Sequence, residues 1–182
     1  MERVKSQIAA AIRFVMISNS SPWDNLKYDE AGVEEVSRKF FGTLYNTYSF
    51  FALYANVDNF DPSAPQVPVE ERPEIDRWII SLLNSLVAEV TADIDDYEPT
   101  KATRAISAFV GDNLSNWYVR LNRKRFWGGG MTTDKLAAYQ TLYECLKTVS
   151  LLMAPGTFSH TMYLGYLPLV AHLISLMIRT AW

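Results

Sequence analysis

Between residues 74 and 97 the apolar side chains Ile75, Trp78, Ile79, Leu82, Leu83, Leu86, Val87, Val90 and Ile94 recur at steps of three and four. This period predicts an amphipathic helix about six turns long, because a half-buried strand would alternate instead. Pro73 stands at its start, where a missing N–H costs nothing. Pro99 opens a second helix, and Ala102, Ile106, Phe109, Val110, Leu114, Trp117 and Leu121 carry the same spacing to about Phe126. Gly128-Gly129-Gly130 ends it. Thr132 or Thr133 can cap a third helix from about Asp134 to Met153, which Pro155-Gly156 stops. Residues 31–56 repeat the pattern, whereas 57–72 holds three prolines and no period. Four stripes and one crossover predict an all-α fold, an antiparallel helical bundle with one long Pro-rich connection.

Composition narrows the function classes. At 182 residues with 49% apolar residues and a net charge of −3, the chain suits one domain and is too apolar to be disordered. A single cysteine, Cys145, excludes a disulfide framework or a cysteine-based zinc site, and His160 and His172 have no partners at metal-ligand spacing. Mild acidity means that any nucleic-acid contact must come from a local patch. Residues 8–17 are apolar but broken by Arg13, with no small-residue cleavage site after them. Leu167–Ile178 is too short to span a bilayer. The expectation is a soluble cytoplasmic chain with no membrane partner.

The patch worth weighing is NLSNWYVRLNRKRFW, residues 113–127. From Trp117 to Trp127 it holds Arg120, Arg123, Lys124 and Arg125 and no acid, whereas residues 89–98 hold five acids and no cation. At 100° per residue, Trp117, Arg120, Lys124 and Trp127 lie within about 80° of one another. They continue the stripe begun by Ile106, Phe109 and Val110. The expected helix is therefore core-facing in its first half and aromatic and basic in its second, projecting past the bundle. Stacking surface beside positive charge suits contact with phosphates and an unpaired base. The same residues also suit structural capping, since cations in a last turn favour the helix dipole and Arg stacks on Trp. Both readings stand on spacing alone.

Other features are weaker. Gly128–Gly130 follows a helix and lacks a phosphate-loop frame, so it reads as a turn. Ser18–Asn25 reads as a structured loop with a buried Trp23. Cys145 reads as an inert core thiol and Asp95-Asp96 as a solvated helix end. No nucleophile, base and oxyanion donors assemble anywhere, so no catalytic or metal residue is expected.

Five segments carry a resemblance: ISNSSPWDNLKYD (17–29), RKFFGTLYNTYSFFALYANVDNF (38–60), ERPEIDRWIISLLNSLV (71–87), NLSNWYVRLNRKRFW (113–127) and DKLAAYQTLYECLKTVSLLMAP (134–155). Together, over about 13–155, the chain resembles the bacterial isoleucyl-tRNA synthetase family of class I. The resemblance implies that residues 1–30 end the catalytic region's connecting segment, with 1–12 atypical, and that 31–155 form the helical anticodon-binding bundle. The whole enzyme of that family activates isoleucine with ATP (with magnesium) and transfers it to tRNA(Ile). Its HIGH and KMSKS signatures do not occur in these 182 residues. The resemblance thus implies a chain without cofactor of its own and inactive alone, whose partners are tRNA(Ile) and the missing catalytic core. Trp117 matches a tryptophan that related synthetases place near the anticodon. Asn116, Trp117, Arg120, Arg123, Lys124, Arg125 and Trp127 are the expected tRNA-binding residues, and four cations imply a log–log salt slope of roughly −3 to −4. The alternative is an independent helical interaction module that kept the bundle without the enzyme.

Residues 156–182 depart from the family after Pro155. They form an atypical apolar tail without a single acid. The expected origin is a shifted reading frame or a misplaced gene boundary, which Met1–Ile12 can share, and Leu164–Ile178 is expected to form a weakly held helix.

Overall fold

A computed structural model of the chain describes residues 2–21, 23–26 and 29–157. The expectations for the 156–182 tail, His160 and His172 included, lie almost wholly outside these. The described residues are mainly helical and contain no strand. Helix α1 spans Glu2–Asn19 and α2 Glu30–Val36. A π-helical turn, Ser37–Phe41, joins α2 to α3, Gly42–Val57. Helix α4 covers Glu74–Asp95, and α5 covers Pro99–Ala108. A second π-helical segment, Phe109–Val119, leads into α6, Arg120–Trp127, and α7 runs over Thr133–Thr157. Pro155 therefore does not stop α7 at once: the helix includes the two residues after it.

Five rods, α1, α2–α3, α4, α5–α6 and α7, share one core. Asp29 caps α2 by accepting the Ala31 N–H at 3.2 Å. Thr132 caps α7, its hydroxyl accepting the Lys135 N–H at 3.1 Å. Helix α1, which the apolar periods did not predict, contributes Ala10, Ala11 and Phe14 to the common core. Phe14 stacks on Phe40 with ring centroids 4.4 Å apart. The Arg104 guanidinium donates to the Ser18 and Asn19 carbonyls at 2.8 and 2.9 Å, closing the C-terminal end of α1. Trp23 is 66% exposed rather than buried. A turn closed by the Asp24 N–H on the Ser21 carbonyl turns its ring outward.

The crossover 57–72 is stitched to α7 rather than left loose. Gln140 accepts the Val67 N–H at 2.9 Å and donates to the Pro65 carbonyl at 3.0 Å. Buried Arg72 donates to the Val67 carbonyl and the Thr141 hydroxyl. At the far end of α4, Asp95 and Asp96 are exposed, as a solvated helix end should be.

The α5–α6 rod is where periodicity misleads. Its inner line runs Ile106, Val110, Leu114, Tyr118, Asn122 and Phe126 at steps of four, with Phe109 and Val119 buried beside it. In an unbroken α-helix that spacing would carry Phe126 about 160° around from Val110. The π-helical segment bonds each N–H one residue further back, so its wider turns keep positions four apart in line. The stripe from Ile106 and Val110 therefore continues through Tyr118, Asn122 and Phe126, not through Trp117 and Lys124.

Candidate nucleic-acid interface

That shift decides what the 116–127 face presents. Asn116, Trp117, Arg120, Arg123, Lys124 and Trp127 all lie on the exposed side. Trp117 is 60% and Trp127 58% exposed. Arg120, Lys124 and Trp127 follow one another at helical steps along α6, with exposed Leu121 among them. The side chains of Arg120, Arg123 and Lys124 make no hydrogen bond or ion pair with any described residue. Neither of the pairings that a capping role calls for, cation to carbonyl or guanidinium to indole, is formed by these three. The face is not a continuation of the core but its opposite: a solvent-facing strip of two indoles and three unpaired cations.

Arg125 is the exception among the expected cations. Its guanidinium donates from Nη1 to Asp76 Oδ1 at 2.7 Å and from Nη2 to Asp76 Oδ2 at 2.9 Å. Nε donates to Asp134 Oδ2 at 2.9 Å. Burial works against the Arg125 charge, but the hydrogen bonds to Asp76 and Asp134 outweigh it and raise its pKa further above neutrality. This side chain ties the start of α4 and the start of α7 to α6. It leaves little of its donor fork for a phosphate.

Under the strip, the support is dense. The Tyr118 hydroxyl donates to Asp76 at 2.7 Å, and its pKa rises well above the ordinary value through burial and then the Asp76 charge. Asn122 donates to the Tyr118 carbonyl and accepts from Arg125. Phe126 meets Phe50 and Tyr139 edge-on at 5.2 and 5.0 Å. Burying a ring of this size stabilises by about 1.5–3 kcal/mol. Beyond Trp127 the chain turns through Gly128–Gly130, where Gly130 takes φ 78°, a conformation that favours glycine.

Among the described residues no group of His, Cys, Asp or Glu is placed to hold a metal ion, and no helix is long and apolar enough to cross a membrane. Cys145 is fully buried, and burial pushes its thiol pKa up, which keeps it protonated and unreactive.

The family model described as the anticodon-binding domain of tRNA ligase matches residues 76–161. These residues hold the entire exposed strip and both carboxylates that grip Arg125. Residues 76–161 belong to the anticodon-binding domain family of tRNA ligases. Outside the domain the likeness extends further. An isoleucine–tRNA ligase of Bacteroides fragilis is 72% identical over 144 residues, which is 79% of this chain and 13% of that protein. One of Porphyromonas gingivalis is 65% identical over 154 residues, 85% of this chain and 14% of that protein. One of Bacillus thuringiensis is 44% identical over 149 residues. The chain thus spans about 13% of the length of the curated relatives it matches.

The functional framework of the anticodon-binding domain includes residues that periodicity did not mark. Asp76 is fully buried on the apolar face of α4, and Lys135 is 3% exposed at the start of α7. A signal existed for Asp76, which stands three and four residues before core positions Ile79 and Ile80. None existed for its partner, because Asp76 and Arg125 are 49 positions apart.

Proposed function

We propose that this chain binds the anticodon end of tRNA(Ile) through the 116–127 strip, as part of an isoleucine–tRNA ligase. The single observation that carries the reading is the pairing of exposed Trp117 and Trp127 with Arg120, Arg123 and Lys124, none of which has a partner among the described residues. An indole held in water on a rigid helix offers a stacking face to an unpaired base, and free cations beside it neutralise the flanking phosphates. Exposed tryptophan without such use costs solubility and gains nothing for the bundle. Membership of the anticodon-binding domain family and the names of its relatives supply the tRNA and its amino acid.

On this reading the chemistry belongs to the part of the ligase outside this chain. ATP with magnesium acts there, on isoleucine and then on the tRNA terminus, in the cytoplasm. The residues here hold the tRNA and carry no step of the reaction.

The test is a titration of the chain with a tRNA(Ile) transcript and with the same transcript carrying a foreign anticodon loop. Tighter binding to the first is expected. Equal affinity for both, or for an unrelated duplex RNA, would overturn the assignment to the anticodon.

A further inference from the structure

Helix α6 ends without the usual closure. Gly128, the residue after Trp127, is extended at φ −60°, ψ 146° rather than left-handed, so it does not fold back onto the last carbonyls. The chain then passes through Gly129 and Gly130 with no side chain to anchor it. Trp127 should therefore sit on a fraying turn. What holds that turn is a side chain from the next helix. Lys135 donates from Nζ to the Gly128 carbonyl at 2.7 Å, supplying the cation that a helix C-terminus favours. The same amine pairs with Asp58, the C-cap of α3, and lies 5.9 Å from the centre of the Tyr139 ring. Tyr139 in turn donates its hydroxyl to Asp58 and presents its ring to Phe126. A buried amine is costly unless it is paired and bonded in this way. The ends of α3 and α6 and the start of α7 converge on it.

We infer that Lys135 is a positioning residue for RNA contact: by fixing the Gly128 carbonyl against Asp58, it sets where Trp127 stands for stacking, without itself touching the RNA. This rests on the tRNA-binding reading above and adds to it a determinant outside the exposed strip. The buried amine has no access to a phosphate, so its effect on binding runs through Trp127 alone.

A double-mutant cycle on the full chain tests it, with a tRNA(Ile) transcript as probe. Lys135→Met keeps the apolar stem and removes the amine. It is expected to weaken binding about tenfold, within the range that loss of one stacked base allows. Trp127→Ala made in that background should then cost little more, and the salt slope should stay unchanged. Additive losses, or a slope shallower by about one, would make Lys135 an independent contributor or a phosphate ligand and overturn the assignment. Should Lys135→Met fail to fold, Asp58→Asn removes the partner charge while leaving the amine, and the same coupling to Trp127 is expected. A wild-type chain that does not bind the transcript at all would overturn the tRNA reading itself. Binding with an additive cycle would overturn only the role of Lys135.

Discussion

Tyr118 and Arg125, seven residues apart, converge on a single oxygen: each donates to Asp76 Oδ1 at 2.7 Å. Two helical turns thus close over one buried carboxylate, and that contact sets the rotation of the rod that carries the exposed strip. A phenol and a guanidinium together satisfy the hydrogen-bonding demand of a carboxylate taken out of water.

Replacing Asp76 by Ala leaves the Arg125 charge and the Tyr118 hydroxyl without their shared acceptor. Removing one partner of a buried pair costs about 3–5 kcal/mol, so urea unfolding should show a loss of that size. A loss under 1 kcal/mol would mean that water replaces the carboxylate freely.

The strip makes its own demands on RNA binding. With Arg125 engaged by Asp76 and Asp134, three cations remain, and the log–log salt slope is expected at roughly −2 to −3 rather than the −3 to −4 that four would give. Trp117→Ala should weaken binding by about 1–3 kcal/mol. Arg120→Gln with Lys124→Gln should flatten the slope by about two. Unfolding scans of the same variants should barely move, since none of these side chains is bonded to the bundle.

Asp58 gives a pH dependence. Burial opposes its ionisation, but hydrogen bonds from Lys135 and Tyr139 outweigh that and hold its carboxyl below the usual range. A lowered folded pKa means stability present above the unfolded carboxylate pKa and lost as pH falls through the folded one. The chain should therefore weaken below about pH 4. Asp58→Asn should lower stability at neutral pH and flatten this acid limb, read from denaturant midpoints across pH 3–7.

Cys145 should ignore thiol reagents in the folded chain. Its thiol is fully buried and its pKa is pushed up by burial first and by Glu144 and Asp76 after that. Labelling at pH 8 should proceed only at the rate of opening of α7 and accelerate sharply in urea. Fast labelling in native buffer would show that α7 opens locally.

Tyr97 closes α4 at φ 59° with most of its ring in water. The Glu98 N–H bonds the Asp93 carbonyl at 2.7 Å across it, the arrangement that ordinarily selects glycine. Tyr97→Gly should stabilise the chain by up to about 1 kcal/mol, measured by thermal unfolding.

Four of the five rods, their order and most of their ends were legible, because Pro73, Pro99, Thr132 and the glycine run punctuate strong apolar periods, whereas α1 was not among the four predicted stripes. The aromatic and basic residues that the structure leaves exposed over 116–127 were also marked by the sequence, whereas the pairing of Arg125 was not. What periodicity misjudged was facing. A constant 100° per residue put Trp117 and Lys124 in line with Ile106, but wide turns over Phe109–Val119 put Tyr118 and Asn122 there instead. No residue type announces a π-helical turn, because tertiary contacts such as Tyr118 with Asp76 select it. On α4 the buried line includes Asp76 with Ile79, Ile80, Leu83, Leu86 and Val90, and Trp78 and Ile94 stand partly in water. Charge pairs between distant positions, Asp76 with Arg125 and Asp58 with Lys135, leave no mark on local spacing.

The wide turns at Phe109–Val119 also separate two quantities that an ordinary helix binds together, how long a rod is and which way its far end looks. Removing one residue from α4 would turn everything beyond the cut by about 100° and pull apolar side chains out of the core. Removing one from 109–117 need only tighten a loose turn to the common pitch, while Asp76 still grips Tyr118 and Arg125 beyond it. The rod therefore carries its own slack, upstream of the surface whose aim matters most.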